Sequence, residues 1–332
     1  MNRQAPVRRL AIATEHWPIT GGFTISRGSR TEAVVVVATV DDGVRQGRGE
    51  CVPYARYGET VDGVTAAIRA MAPTIAAGAT RQDLLRTMPA GAARNALDAA
   101  LWDLEAKETG RRAWTLAGVP APEPVTTAFT LSLGTPESMA AAAERAAGRP
   151  LLKVKLGGPG DDERIAAVRR GAPKATLIVD ANEAWSTDIF AANLAACEAA
   201  GVVLIEQPLP AGRDQLLATI RSPILFCADE SFHDRNSLPT VSGLYQAVNI
   251  KLDKTGGLTE ALAVAVEAKE AGLALMVGCM LGTSLAMAPA LLLTPLARFV
   301  DLDGPLLLTQ DRTPGISFDG SVILPFGAEV WG

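Results

Sequence analysis

LLKVKLGG (151–158), TLIVDAN (176–182), VVLIEQP (202–208), ILFCADES (224–231) and AVNIKLDKTGG (247–257) are five apolar runs in which a charged residue follows the last aliphatic or small ones. The charges are Lys155, Asp180, Glu206, Asp229 and Lys251, at successive intervals of 25, 26, 23 and 22 residues. A strand, a loop and a three-turn helix consume about that much chain, so the intervals mark a βα repeat. Thr127–Leu133 precedes the series, and Ala274–Cys279 and Phe299–Asp301 follow it, giving eight candidate strands. Eight such strands imply an α/β fold of the (β/α)-barrel type, whose chemistry sits at the strand C-termini.

Asp180, Glu206 and Asp229 end three consecutive strands, where a charge beside apolar runs is costly unless paired or metal-bound. Three oxygen donors converging above a barrel suit a hard divalent ion, Mg²⁺ or Mn²⁺. Lys153 and Lys155 are two apart on one strand and therefore share a face. A strand of Leu and Val inside a closed ring has no solvated margin to excuse two lysines. Lys251 ends the sixth strand, with Asn249 and Asp253 on its side if the chain stays extended. Lys155 and Lys251 then stand across the ring from one another with the acids between. Such a pair can remove a proton α to a carboxylate from one face and return one to the other, through an enediolate held by the metal. A working base needs a lowered pKa, which the Lys153 charge and the cation should supply. Lys153 is also a candidate contact for a substrate carboxylate oxygen.

Outward from this series the grammar changes. Residues 1–122 place strands first (Val7–Glu15, Ala33–Val40, Gln46–Val52) and helices after (Val61–Ala77, Arg81–Thr87, Ala92–Lys107), an α+β unit. Past Asp303, Ile316–Phe318 and Val322–Leu324 flank Asp319–Gly320, a hairpin signal. The expected division is a capping domain over 1–122, with tail 306–332 returning to it, and a barrel over 123–305.

Composition narrows the function classes. Of 332 residues 48% are hydrophobic and 20% charged, and the net charge of −5 comes without a basic run, which disfavours nucleic acid. The four cysteines are scattered without a CxxC pair, as expected of reduced thiols in a cytoplasmic protein. Arg3, Arg8 and Arg9 precede an apolar stretch too short for a signal peptide. Ala271–Ala297 is uncharged for 27 residues, but its glycines, prolines, Thr283 and Ser284 favour a buried strand, loop and helix over a membrane span. GGPG at 157–160 lacks the spacing of a phosphate loop, and Trp102 and Trp185 read as core or domain-interface aromatics.

The ordered series KVK, VDAN, EQP, ADES and NIK resembles the enolase superfamily, muconate-cycloisomerase-like subgroup, over essentially the whole chain. The resemblance implies an α+β capping domain over a (β/α)₇β TIM-like barrel. It also implies Lys155 and Lys251 as acid/base pair and Asp180, Glu206 and Asp229 as ligands of Mg²⁺ (Mn²⁺ the alternative). Asn182 and Gln207, beside the ligands, read either as groups supporting them or as turn polars, and Asp253, by its parity with Lys251, is a further candidate support. Branches that use a His–Asp base need a histidine beyond the sixth strand, and the last here is His233. FVDLDGP (299–305) is similar to the ending found in dipeptide epimerases, which makes Asp301 and Asp303 candidates for an α-ammonium group. GGFTISRGSR (21–30) looks like the family's mobile capping loop, with Arg27 and Arg30 as alternatives for a second substrate carboxylate. Thr130, Cys279, Met280 and Thr283 are further candidate substrate contacts. ECVPYARYGE (50–59), PAGAARNALDAALWDLEAK (89–107) and NIKLDKTGGLTEA (249–261) are similar to L-Ala-D/L-Glu epimerases of bacterial murein-peptide metabolism. A cytoplasmic isomerase of cell-wall recycling, acting on a dipeptide and monomeric or homo-oligomeric, is the expectation. The alternatives are o-succinylbenzoate synthase or muconate cycloisomerase chemistry on the same scaffold, and a catalytically idle barrel that only binds.

Overall fold

The computed structural model describes residues 7–332, so Arg3 lies outside the described residues. Strands β1 (Arg9–Ile25), β2 (Gly28–Asp41) and β3 (Gln46–Cys51) form an antiparallel sheet in that order. The run AVVVVATV in β2 is buried on both faces. Val36, Ala38 and Val40 pack into the core of the N-terminal unit, whereas Val35 and Val37 pack into the cluster that runs through the barrel. That split follows the two-residue period of a strand and makes one sheet the floor of one unit and the roof of the other. The long helix Ala92–Thr109 lies flat on β3. A Cβ at Gly47 would come within 2.1 Å of the Ala100 carbonyl, and one at Gly49 within 2.1 Å of that of Ala96, so both positions require glycine.

β4 (Val125–Thr126) leads into eight parallel strands: β5 (Phe129–Leu131), β6 (Leu151–Lys155), β7 (Thr176–Asp180), β8 (Val202–Glu206), β9 (Leu225–Ala228), β10 (Ala247–Ile250), β11 (Ala274–Gly278) and β12 (Phe299–Asp301). They pair in sequence order, and the Ala128 N–H donating to the Val300 carbonyl at 2.8 Å brings the two ends together as a barrel. Ala128, Ile178, Leu204, Cys227, Ala247, Met276 and Phe299 form a separate cluster among these strands.

Several expected boundaries move. The segment at 21–30 forms the end of a β-hairpin. β1 and β2 continue past a bulge between Pro18 and Phe23, with Phe23, Thr24 and Ile25 opposite Arg30, Ser29 and Gly28. The helix expected over Val61–Ala77 breaks at Met71 into Val61–Ala70 and Ala72–Ala76, with Pro73 in the first turn of the second piece. β10 ends at Ile250, and Leu252–Thr255 is one helical turn. The tail hairpin, β13 (Phe318–Asp319) and β14 (Val322–Ile323), pairs with β4 rather than with the N-terminal sheet. Beyond it the chain end does reach that unit: the buried Trp331 donates from Nε1 to the Ala99 carbonyl, and the Gly332 N–H donates to Asp103.

Ala271–Ala297 is strand β11, then a helix at Ser284–Ala290 and a 3₁₀ segment at Leu291–Leu296. No helix among the described residues is long and apolar enough to cross a membrane. In the GGPG turn the Gly157 and Gly158 N–H groups donate to the Asp161 carboxylate, which takes the donors a phosphate would need. Trp102 and Trp185 are both buried, with their indole N–H groups on Thr259 and Asp161.

Candidate active site

The parallel register puts Lys155 opposite Asp180 and Asp180 opposite Glu206, so three neighbouring strands end level with one another. Asp229 follows β9 directly and Lys251 follows β10. Lys155 Nζ lies 2.6 Å from Asp180 Oδ2, and Lys251 Nζ lies 2.7 Å from Asp229 Oδ2. The two lysines belong to strands four places apart in the ring of eight, with the three acids between them. Lys153 fills the middle: its Nζ is 2.6 Å from Glu206 Oε2, 2.6 Å from Asp301 Oδ2 and 3.4 Å from Asp180 Oδ2. All three acids are buried.

The charges set each other's protonation. Burial would raise Asp180, but Lys155 and Lys153 outweigh it and hold the carboxyl below its usual range. Burial opposes ionisation of Asp229 too, and Lys251 and Lys254 reverse that strongly. Glu206 is raised, by burial first and then by Asp180. Burial lowers Lys251, yet Asp229 and Glu206 hold it well above the ordinary lysine value, and Lys153 is raised in the same way by Asp301, Glu206 and Asp180. At Lys251 the carboxylates acting alone give the opposite of the depression expected of a base, and the neighbouring Lys153 charge is too small a counterweight.

As the side chains lie, no three His, Cys, Asp or Glu residues among those described stand as a ready cation cluster, because ammonium groups sit between the carboxylates. The donor set itself fits a hard cation. Asn182 Oδ1 and Asn249 Oδ1 are buried oxygens with no hydrogen-bond partner among the described residues, and the three strand-end acids supply the charge.

Other expected residues divide. Asn182, in a left-handed conformation at φ 45°, donates its N–H to Asp180 Oδ1. Gln207, at φ 35°, accepts from the Asp229 N–H at 3.0 Å and so fixes that acid's backbone. Asp253 does not support the site. Because the chain turns helical after Lys251, its Oδ1 accepts from the Val52 N–H and Asn95 Nδ2 of the N-terminal unit instead. Thr130, Cys279 and Met280 line the pocket above the strand ends, with Asp301 and Asp303. Thr283 is not among its lining residues; its hydroxyl is held in a buried network with Glu50 and Arg312. Asp303 lies past the end of β12, accepts from the Thr130 N–H at 2.7 Å, and is pushed up to about 7 by burial and Asp301. Arg27 is tied to Glu230 and Glu183, while Arg30 lines the pocket over the Tyr54 ring and has no salt bridge among the described residues.

Two contributors, Lys254 and Glu230, escape the sequence reading, and Asn249 takes a definite partner. Lys254 Nζ donates to Asp229 Oδ1 at 2.6 Å and to the Asp229 carbonyl. The signal was available: three residues after Lys251, one helical turn returns the chain to the same side. Asn249 Nδ2 donates to Glu206 Oε1 at 2.7 Å, on the face the strand parity gives it. Glu230 points toward Asn182 because β9 has ended and alternation no longer applies.

Comparison with known proteins agrees with this layout. Residues 7–118 match the model for the mandelate racemase / muconate lactonizing enzyme N-terminal domain, and residues 138–305 match the enolase C-terminal domain-like model. The chain belongs to the enolase superfamily. This enolase-superfamily chain is 48% identical over 314 residues to an L-Ala-D/L-Glu epimerase of Escherichia coli, covering 94% of this chain and 98% of the relative. It is 45% identical over 302 residues to an N-acetyl-D-glutamate racemase of Pseudoalteromonas, covering 90% and 95%. Among solved structures it is similar to an enolase family member from Agrobacterium tumefaciens with homology to dipeptide epimerases, holding sodium and L-Ala-L-Glu. The TM-score there is 0.96 with 54% identity, covering 98% of this chain and 100% of the other. A dipeptide epimerase from Methylococcus capsulatus complexed with Mg and L-Arg-D-Lys superposes with TM-score 0.85 at 30% identity, covering 96% of each chain.

Proposed function

We propose that this protein is a Mg²⁺-dependent dipeptide epimerase, with L-Ala-D/L-Glu as its substrate, inverting the α-carbon of the C-terminal residue by two-base proton transfer. The observation that carries the reading is the placement of Lys155 and Lys251 on strands across the ring, each within 2.7 Å of a carboxylate of the acid series. Asp180, Glu206 and Asp229 are the residues to hold the ion. Bound there, Mg²⁺ supplies positive charge that both steadies a substrate carboxylate losing its α-proton and offsets the acids that keep Lys251 protonated.

One lysine Nζ takes the α-proton and the other delivers a proton to the opposite face, so the order of the two reverses with the epimer used. Lys153, buried among the acids, offers its ammonium to a substrate carboxylate oxygen. Asp301 supports ammonium recognition: its Oδ2 is taken by Lys153, but Oδ1 is buried without a partner beside Asp303. Arg30, at the pocket wall without an ion pair among the described residues, is the better of the two arginines for the glutamate side-chain carboxylate. Thr130, Cys279 and Met280 complete the wall. The four free cysteines suit the reducing cytoplasm, and recycling of murein peptides is the setting this substrate implies. The division into a cap (1–122 with 306–332) and a barrel (123–305) serves this reading, because the pocket takes residues from both.

A second reading has an observation of its own. Lys153 neutralises Asp301, and Asp303 at about 7 is partly protonated at neutral pH, so the acid pair is weaker than two full charges. An N-acylated glutamate, which lacks an ammonium group, is therefore an acceptable rival. Incubation with Mg²⁺ in D₂O, followed by proton NMR of the α-position, separates the two. L-Ala-L-Glu should lose its glutamyl α-proton signal much faster than N-acetyl-L-glutamate does. The reverse order hands the site to the racemase reading, and no exchange from either, or from any apolar dipeptide, refutes both.

A further inference from the structure

We propose that Arg27 is a positioning residue: it pins the tip of the β1–β2 hairpin to the barrel through Glu230, holding Arg30 and the pocket roof over the bound substrate. The inference rests on the dipeptide reading of the site and adds a residue to it.

The tip of the hairpin, Ser26–Arg27, is two residues between the end of β1 and the start of β2, with little packing of its own to fix it. Their fixation is polar. Arg27 Nη2 donates to Glu230 Oε1 at 2.7 Å and to the Tyr54 hydroxyl at 3.0 Å, and Nη1 donates to the Asn182 carbonyl at 2.9 Å. Ser26 Oγ donates to the same carbonyl at 3.0 Å. Two residues earlier, in β1, the Thr24 N–H donates to Ser132 Oγ, and the Thr24 carbonyl accepts from the Leu133 N–H. The tip is thus tied to the loops after three barrel strands, β5, β7 and β9.

Glu230 has no other cation within salt-bridge distance among the described residues, and its Oε2 is buried without a partner. A buried carboxylate with one ion pair depends on it, and a charge-assisted bond of this length is far stronger than a surface contact. Glu183, by contrast, is gripped mainly by Arg56 at 2.6 Å and lies 3.4 Å from Arg27, so it is a minor anchor. Asn182, whose carbonyl receives both Arg27 and Ser26, is the residue whose own N–H supports Asp180, so the tip is fastened to the segment that orients an acid of the site. Arg30 stands opposite Phe23 in the hairpin register, on the strand that the pin secures.

The test uses Arg27→Met, Arg27→Lys, Glu230→Gln and the Arg27→Met/Glu230→Gln double variant in the full-length chain with Mg²⁺. Amide hydrogen exchange over residues 23–30 reports the tip independently of turnover, with thermal melting to verify folding. Arg27→Met should speed exchange at the tip and raise KM for L-Ala-L-Glu by about 10-fold or more, with kcat within about threefold of the parent. Arg27→Lys should recover part of both effects. The double variant should be no worse than Arg27→Met alone, since the two residues act as one unit. Unchanged tip exchange in a folded Arg27→Met protein, or losses that multiply in the double variant, overturns the proposal. Tip release in a protein that epimerises no dipeptide supports the pin and overturns only the substrate reading.

Discussion

Lys254 and Asp229 meet twice: the ammonium donates at 2.6 Å to the Oδ1 atom and at 2.7 Å to the backbone carbonyl of the same aspartate. Lys251 holds the other carboxylate oxygen, so one acid stands between two buried cations that reach it from a single helical turn. Removing either lysine therefore changes where Asp229 points as well as the local charge.

The first prediction concerns that grip. Lys254→Met should weaken Mg²⁺ binding by about 10–100-fold, because support of a ligand is worth that much in metal sites. Isothermal titration of the folded variant with Mg²⁺ checks this, and parent-like affinity would show that Lys251 and Gln207 orient the acid without help.

Substituting the two proposed acid/base lysines should give mirror-image defects. Lys155→Met and Lys251→Met should each cut net epimerisation by about 10²–10⁴-fold. Each variant should still wash the α-proton of one epimer into D₂O, and the two should spare opposite epimers. Both sparing the same epimer would contradict placement on opposite faces.

On the proposed reading, Arg30 meets the substrate's acidic side chain. Arg30→Met should raise KM for L-Ala-L-Glu by about 10–100-fold through loss of a charge-assisted contact, while KM for L-Ala-L-Leu changes by less than about threefold. Steady-state kinetics on both dipeptides decides it, and equal losses on the two would remove Arg30 from the side-chain pocket.

Removing the cation should be legible in stability. Chelation by EDTA leaves the acid series to the lysines alone, and adding Mg²⁺ back should raise Tm with Mg²⁺ concentration, as binding to the native state requires. Asp180→Asn and Glu206→Gln should flatten that response. A Tm indifferent to Mg²⁺ in the parent would point to the idle-barrel alternative.

Asp253 gives a pH prediction with a definite sign. Burial, with nearby Glu59 and Glu50, pushes its carboxyl up to about 7, against the hydrogen bonds from Asn95 and Val52 that lower it. A carboxyl raised on folding stabilises the protonated form, so its contribution is intact below the unfolded value near 4 and is lost as pH rises toward 7. Asp253→Asn keeps Oδ1 for the Val52 and Asn95 donors and cannot ionise. The variant should gain about 1–3 kcal/mol over the parent at pH 8, and the gain should shrink as the pH is lowered toward 5. Thermal or urea melts across that range check it; a gain that grows toward acid reverses the assignment.

The barrel and the three acids were legible in the sequence because both depend on local rules. A period of 22–26 residues between charged strand ends survives whatever the helices pack against, and alternation within a strand puts Lys153 with Lys155 and Asn249 with Lys251. The reading failed where a strand stopped. One residue of misjudged length at β10 sent Asp253 to the wrong unit and hid Lys254, and the early end of β9 hid Glu230, because past the last ladder bond the side-chain period is no longer two.

By itself, then, the sequence determined the repeat, the acid series, the pair of lysines across the ring and the absence of a histidine base, all properties of residues on one element or at fixed spacing. Only the tertiary structure shows which of the two arginines has an ion pair among the described residues. Arg27 and Arg30 are three residues apart in one hairpin and both line the pocket, and what separates them is Glu230, 203 residues from Arg27 in the chain, whose carboxylate pairs with Arg27 and not with Arg30. A charge finds its partner by proximity in the folded state, and no local pattern encodes a distance that long.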